Sequence, residues 1–344
     1  MSTIFVVDDI DTNLAKAEQA LEGIYDVFSL PCVSGMFALL QKITPDLILL
    51  DIEMPEMDGF TAIKKLKENS KTASIPVMFL TASANPAIEA RGIKLGAVDF
   101  VIKPFSAPVL INRIANHLHI NKLIKERTRK IELLQRGIVS VLADMVENRD
   151  ETTGGHIERT SMYVKILVDA MLERGVYAEE MRGWDTNELV SSSRLHDIGK
   201  ITISDLILNK PGKFSDEEFA IMKKHTSAGE RIINQIIAQT NMVGDTFLLN
   251  ARLAAGHHHE KWNGTGYPRG LKEEEISLQG RIMAIADVYD ALVSERPYKK
   301  AFSDEESVNI IVSDSGKHFD PKIVAVFLEI KDKFKNVRTN LCMR

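Results

Sequence analysis

Near residue 120 the spacing of apolar residues in this sequence changes period, and no single sheet or bundle can bury both halves. Over residues 1–119 the short apolar runs "TIFVVDD", "PDLILLDIEMP", "IPVMFLTAS" and "AVDFVIKPF" are separated by amphipathic stretches such as "GFTAIKKLKEN". Continuous apolar runs that end in polar residues are buried parallel strands, and the stretches between them are the helices that cover an open α/β sheet. From Ile120 the pattern is helical, and it stays almost wholly helical through "IERTSMYVKILVDAMLE", "DTNELVSSSRLHDIGK", "SDEEFAIMKKHTSAGERIINQII" and "QGRIMAIADVYDALV". A length of 344 residues suits two such domains, each with its own core.

The remaining bulk features narrow the class. A composition 44% hydrophobic and 26% charged is that of a soluble globular protein. No apolar run approaches the roughly 20 residues that span a bilayer. The start "MSTIFVVDDI" has early acids and no basic stretch, so no signal peptide is predicted and a cytoplasmic location is expected, without membrane association. Cys32 and Cys342 lie at opposite ends of the chain, which suggests neither a disulfide framework nor a thiolate metal site. A net charge of −5 gives no reason to expect DNA binding, and the basic run "KLIKERTRK" is explained by a solvated helix face.

In an open α/β sheet ligands bind where the strands end. Here the ends carry Asp8 and Asp9, then Asp51, then Thr81, then Lys103 before Pro104. Three crowded carboxylates repel, and Mg²⁺ relieves that repulsion while leaving room for a phosphoryl group. Helix capping accounts for one such acid, not for the set. These residues resemble the response-regulator receiver domain, a flavodoxin-like fold. The resemblance implies Asp51 as phosphoacceptor, Asp8 and Asp9 as holders of Mg²⁺, Thr81 and Phe100 as a switch pair, and Lys103 as a contact to the phosphoryl group. It also implies a sensor histidine kinase as partner. Gly59, after "MPEMD", fits the loop that follows the phosphoacceptor.

Residues 120–145 read as a helical connector. Ile124, Ile131, Ile138 and Met145 recur at sevens, with Ile120, Leu134 and Val141 at the companion spacing and Arg127 interrupting. Such a seam suits a parallel two-stranded coil and a homodimer, or an amphipathic helix lying on its own domain.

Seven of the nine histidines fall within residues 146–344: His156, His196, His225, His257, His258, His259 and His318. Helical bundles build metal sites from inward side chains on facing helices. Imidazole and carboxylate without cysteine suit Fe, Mn or Zn, and two ions about 4 Å apart can clamp the attacking and leaving oxygens of a phosphoester. The stretches "HDIGK" and "HHEKWNGTGYP", followed by "DVYDAL", "ERPYKKAF" and "GKHFDP", resemble the HD-GYP family of metal-dependent phosphohydrolases, an all-α HD-type bundle that cleaves cyclic dinucleotides.

That resemblance implies two or three divalent ions, held by His156, His196, Asp197, His225, His258, His259 and Asp287, with Asp197 bridging. A third ion would take an upstream acid. Glu147 fits best, with Asp150 and Glu151 as alternatives. Lys200 and Asp197 are the implied catalytic residues. Gly266, Tyr267, Arg296 and Lys299 are the implied substrate contacts, Gly266 through close approach of its backbone. His257 is expected to be a bystander. Asn263 stands where many members carry Asp, a change expected to affect loop hydrogen bonds and not metal binding. The implied function is a response regulator that hydrolyses cyclic di-GMP to pGpG, with GMP as a further product. A binding module without turnover, or a phosphodiesterase for another cyclic dinucleotide such as cyclic GMP-AMP, remain the alternatives.

Overall fold

The structure, a computed structural model, describes residues 1–83, 85–149, 155–295 and 300–341. The chain divides into two compact units, Met1–Ile131 and Glu132–Arg344. The first is a five-stranded parallel sheet of β1 (Thr3–Val7), β2 (Asp26–Leu30), β3 (Leu47–Asp51), β4 (Val77–Thr81) and β5 (Asp99–Ile102), in the order β2-β1-β3-β4-β5. Helices α1 (Asp11–Leu21), α2 (Val33–Leu40), α3 (Gly59–Glu68) and α4 (Pro86–Lys94) connect the strands. Because strand side chains alternate in direction, Phe5, Val7, Ile48, Leu50 and Phe79 enter one core while Ile4, Val6, Leu47, Leu49 and Leu80 enter another. Both faces of β3 are thus buried, which is why its sequence is a continuous apolar run.

Four of these strands match the apolar runs. The fifth, β2, was not among them. Its sequence "DVFSL" lies at the sheet edge with no fully buried residue, so it carries none of the apolar continuity that marks the central strands.

One helix, α5 (Ala107–Glu147), covers 41 residues and passes through Gly137, where a Cβ would meet no atom within 4 Å. Every residue of the heptad seam is more than half exposed: Ile120 51%, Ile124 58%, Ile131 65%, Leu134 64%, Ile138 51%, Val141 56% and Met145 60%. Val139, Ala143 and Val146 are instead buried, and Val139 and Val146 join a core with Leu195, Ile198, Ile233 and Phe247.

The second unit is helical: α6 (His156–Glu173), α7 (Thr186–Ser193), α8 (Asp205–Leu208), α9 (Asp216–Met222), α10 (Lys224–Thr240), α11 (Thr246–His257), α12 (Leu278–Val293), α13 (Asp304–Ser313) and α14 (Pro321–Leu341). Its main core gathers α6, α12 and α14 around Tyr163, Tyr289 and Phe334, with the Tyr163 and Phe334 rings stacked at 4.6 Å. Two stretches expected as continuous helix are broken. The helix before "HDIGK" stops at Ser193, and Ile198–Thr202 is a 3₁₀ turn. The stretch from Ser215 breaks at Lys223, between α9 and α10. The first break has a steric cause. A Cβ on Gly199 would lie 1.9 Å from the His225 carbonyl oxygen and 2.4 Å from the Gly229 nitrogen, so the turn lies directly on the α10 backbone. No helix among the described residues is long and apolar enough to cross a membrane.

Candidate functional site

In the first unit β1, β3, β4 and β5 are neighbours, and their carboxyl ends meet at one edge. Asp8, Asp9 and Asp51 bring carboxylate oxygens within 4.8 Å of one another. Lys103 places its ammonium 2.6 Å from Asp8 and 2.9 Å from Asp51. The other oxygen of Asp8 accepts from the Ile10 amide and the Asn13 side chain. Burial pushes the Asp51 carboxyl above its ordinary range, against the pull of Lys103. A cleft of about 480 Å³ opens beside these groups, lined by Asp51, Thr81, Lys103 and Asn13 among others. Thr81 exchanges hydrogen bonds with Ser83, and Phe100 is buried against Phe79 at 5.4 Å between ring centres.

In the second unit six groups form two triads, each with its donor atoms within 4.8 Å: His225, His258 and His259, and His156, His196 and Asp287. They come from α6, α10, the ends of α7 and α11, and α12. Asp197 lies between the triads. One carboxylate oxygen is 3.3 Å from His225 Nε2 and 3.6 Å from His258 Nε2, and the other is 3.4 Å from His196 Nε2 and 2.8 Å from the Lys200 ammonium.

The protonation of these rings follows from their neighbours. His196 Nδ1 faces the Ser193 carbonyl at 3.0 Å, His225 Nδ1 the Met222 carbonyl at 2.7 Å, and His258 Nδ1 the Ala254 carbonyl at 2.9 Å. A carbonyl only accepts, so each Nδ1 carries the hydrogen and each Nε2 points a lone pair into the site. The Nε2 atoms of His225 and His258 lie 3.4 Å apart, and His196 Nε2 and one Asp197 oxygen are buried with no hydrogen-bond partner. Burial holds His225 at a pKa of about 4 and His259 well below its ordinary range, so neither relieves the crowding by taking a proton near neutrality. Burial opposes charge on His196 and Asp197 as well. Their mutual attraction, with Lys200 aiding Asp197, nevertheless raises the histidine and holds the carboxyl well below its usual range. Buried, converging lone pairs beside a carboxylate are the donor set that divalent cations satisfy, and nitrogen with oxygen suits Fe, Mn or Zn.

The other expected residues fall as follows. Glu147 enters neither triad, and its Oε1 accepts the His156 amide at 2.7 Å. Asp150, Glu151, Arg296 and Lys299 lie outside the described residues. Tyr267 tilts over His259 at 4.8 Å between ring centres. A Cβ at Gly266 would meet the Lys261 nitrogen at 2.3 Å, so the bare backbone here lets the loop lie against its own chain. Asn263 forms a local turn, accepting from the amide and hydroxyl of Thr265. His257 accepts the Ser277 amide and so ties the end of α11 to the start of α12.

Two residues that hold the site were not among those expected. Asp290 is fully buried, accepts His156 Nδ1 at 2.8 Å, and binds Arg159 through Nε at 2.7 Å and Nη2 at 2.9 Å. It thereby aims His156 Nε2 at Asp287, 3.5 Å away. The signal was available, since Asp290 follows Asp287 by three residues on one helix and so shares its face. Glu260, also buried, accepts the amides of Arg269 and Leu271 and closes the loop that carries Tyr267.

A receiver sheet joined to a helical unit with a histidine–aspartate centre defines the class, and comparison with known proteins agrees. The profile of the response regulator receiver domain matches residues 4–115 and that of the HD domain matches residues 140–323. The chain belongs to the response regulators that carry an HD domain, a family of metal-dependent hydrolases. Among its relatives is a probable cyclic di-GMP phosphodiesterase of Vibrio cholerae, 39% identical over 97% of this chain and 79% of the relative. The cyclic di-GMP phosphodiesterase response regulator RpfG of Xanthomonas campestris is 32% identical over 85% of this chain and 77% of the relative. A 3'3'-cGAMP-specific phosphodiesterase of Vibrio cholerae is 37% identical over 65% of this chain and 39% of the relative.

Proposed function

We propose that the second unit hydrolyses cyclic di-GMP, under control of phosphorylation at Asp51. The observation that carries this reading is Asp197, which presents one oxygen to the imidazoles of each triad. In this reading His225, His258 and His259 would hold one ion and His156, His196 and Asp287 a second, with Asp197 as a ligand available to both. Glu147 is assigned to a third. When bound, such ions supply Lewis acidity for the attacking water and the developing phosphorane charge.

The chain's own groups do the rest. Hydrolysis forms a P–O bond from water on one side of phosphorus and breaks the P–O3′ bond on the other, and the leaving oxygen takes up a proton. Lys200, held against Asp197, offers its ammonium to a phosphate oxygen or to that leaving oxygen. Tyr267 walls the site above His259. The first product is pGpG, and a second cycle gives GMP. Arg296 and Lys299 are assigned to the substrate phosphates. The kinship with a 3'3'-cGAMP-specific enzyme supports a second substrate reading with the same chemistry.

The test is anaerobic purification with Fe or Mn, elemental analysis, and chromatography of products from both dinucleotides. Appearance of pGpG from cyclic di-GMP supports the reading. Stoichiometric metal with no cleavage of either substrate overturns it and leaves a binding module.

For regulation, the exposed heptad seam on α5 supports a homodimer through the connector, with a cytoplasmic histidine kinase as phosphodonor and Mg²⁺ at Asp8, Asp9 and Asp51. Thr81, Phe100 and Lys103 are assigned to reading the phosphoryl group. A monomer by analytical ultracentrifugation, with and without beryllofluoride, removes the dimer. Unchanged turnover on adding beryllofluoride removes the control.

A further inference from the structure

Helix α9 contains no buried side chain, and its one aromatic residue, Phe219, is 43% exposed. Packing therefore does not explain a phenylalanine at this position. The helix is fixed by other means. Ser215 and Glu218 form a capping box, Glu218 pairs with Lys210, and a one-residue break at Lys223 leads into α10, whose first turn carries His225. The segment that positions a site imidazole thus also positions this ring.

Phe219 stands 6.1 Å from the Tyr267 ring at 83°, and Tyr267 in turn lies 4.8 Å from His259 and 6.4 Å from His225. The Lys223 ammonium sits 5.1 Å from the centre of Phe219 and 6.0 Å from that of Tyr267, and among the described residues it has no carboxylate partner. An apolar guest alone would have no use for the ammonium, and a phosphate alone none for the exposed ring. A nucleobase needs both, a flat face to stack and acceptor atoms on its edge. Guanine offers two acceptors, N7 and O6, where adenine offers N7 beside a donor amine.

We propose that Phe219 and Lys223 form the seat of a guanine base of the dinucleotide, Phe219 stacking on the base and Lys223 reaching its O6 and N7. This rests on the reading of the site as a cyclic dinucleotide phosphodiesterase. Phe219 is then a substrate-binding residue and Lys223 sets the preference for guanine over adenine.

The experiment is steady-state kinetics on the metal-loaded full chain, with metal content measured for each variant. Phe219→Ala raises KM for cyclic di-GMP on the order of tenfold, the loss expected for one base–aromatic stack, while Phe219→Trp restores it. Lys223→Met narrows the preference for cyclic di-GMP over cyclic di-AMP. Unchanged metal content excludes a displaced His225. If the wild type is active and Phe219→Ala keeps its KM within about twofold, the base seat is overturned and the hydrolase reading stands. If the wild type binds cyclic di-GMP without cleaving it, the same variants are compared by equilibrium binding: lost affinity in Phe219→Ala sustains the seat alone, and retained affinity overturns it. A wild type that neither binds nor cleaves overturns both.

Discussion

In the receiver unit one ammonium spans two carboxylates, with Lys103 at 2.6 Å from Asp8 and 2.9 Å from Asp51. In the HD unit Lys200 pairs with Asp197 at 2.8 Å, and the Nε2 atoms of His225 and His258 face each other at 3.4 Å. In the first pocket a cationic side chain of the chain itself thus faces both carboxylates. In the second, His196 Nε2 and one Asp197 oxygen are buried with no hydrogen-bond partner among the described residues, so ions bound there would be coupled to folding. Under the proposed function the difference would be one between a switch and a resident centre.

The sharpest way to break this contrast is Asp197→Asn. Loss of the shared carboxylate is expected to lower kcat on cyclic di-GMP by several orders of magnitude and to reduce bound Fe or Mn, whereas Asp51→Asn leaves metal content unchanged. Elemental analysis with product chromatography checks both. Next is Lys103→Met, which leaves two buried aspartates facing each other. We expect a loss of up to about 3 kcal/mol in the receiver's unfolding transition, part of it restored by Mg²⁺, as read by calorimetry with and without the ion. Asp290→Asn frees His156 to rotate and lowers metal affinity roughly 10- to 100-fold, which a competition titration against a chelator measures.

The smallest effect concerns pH. His318 stacks on Phe319, and burial holds its pKa down to about 4, with Lys261 adding to the shift and Asp314 and Asp287 opposing it. The folded value lies below the unfolded one of 6.5, so the unfolded chain binds more protons between those values. Stability is therefore present above that window and is lost as pH falls through it, by roughly 1 kcal/mol between pH 7 and 5.5. His318→Gln removes that part of the pH dependence, which scanning calorimetry at the two pH values compares with the wild type.

What could be read in the sequence follows the same division. The central strands β1, β3 and β4 announce themselves because both their faces are buried, and the edge strand β5 keeps an apolar run with Phe100 and Val101 buried, while the other edge strand, β2, hides in a mixed sequence. Of the triad residues, His196 stands out beside Gly199, and His258 and His259 stand out before the loop that ends at Pro268, whereas His156, His225 and Asp287 are implied by the family resemblance. The break at Ile198–Thr202 leaves no trace in period or composition, because the backbone of α10, distant in sequence, lies against Gly199. Asp290 and Glu260 were missed for a related reason. A buried acid that hydrogen-bonds a ring or a loop looks, in sequence, like any solvated acid.

Glu147 is the last residue of α5, and its carboxylate grips the amide of His156, the first residue of α6. The carboxyl end of α5 is therefore hooked to the backbone of a triad histidine. A screw motion of a few degrees along α5 would pull on that hook and shift the imidazole it carries. Under the proposed regulation, displacement of that helix end would act on the site through one peptide bond.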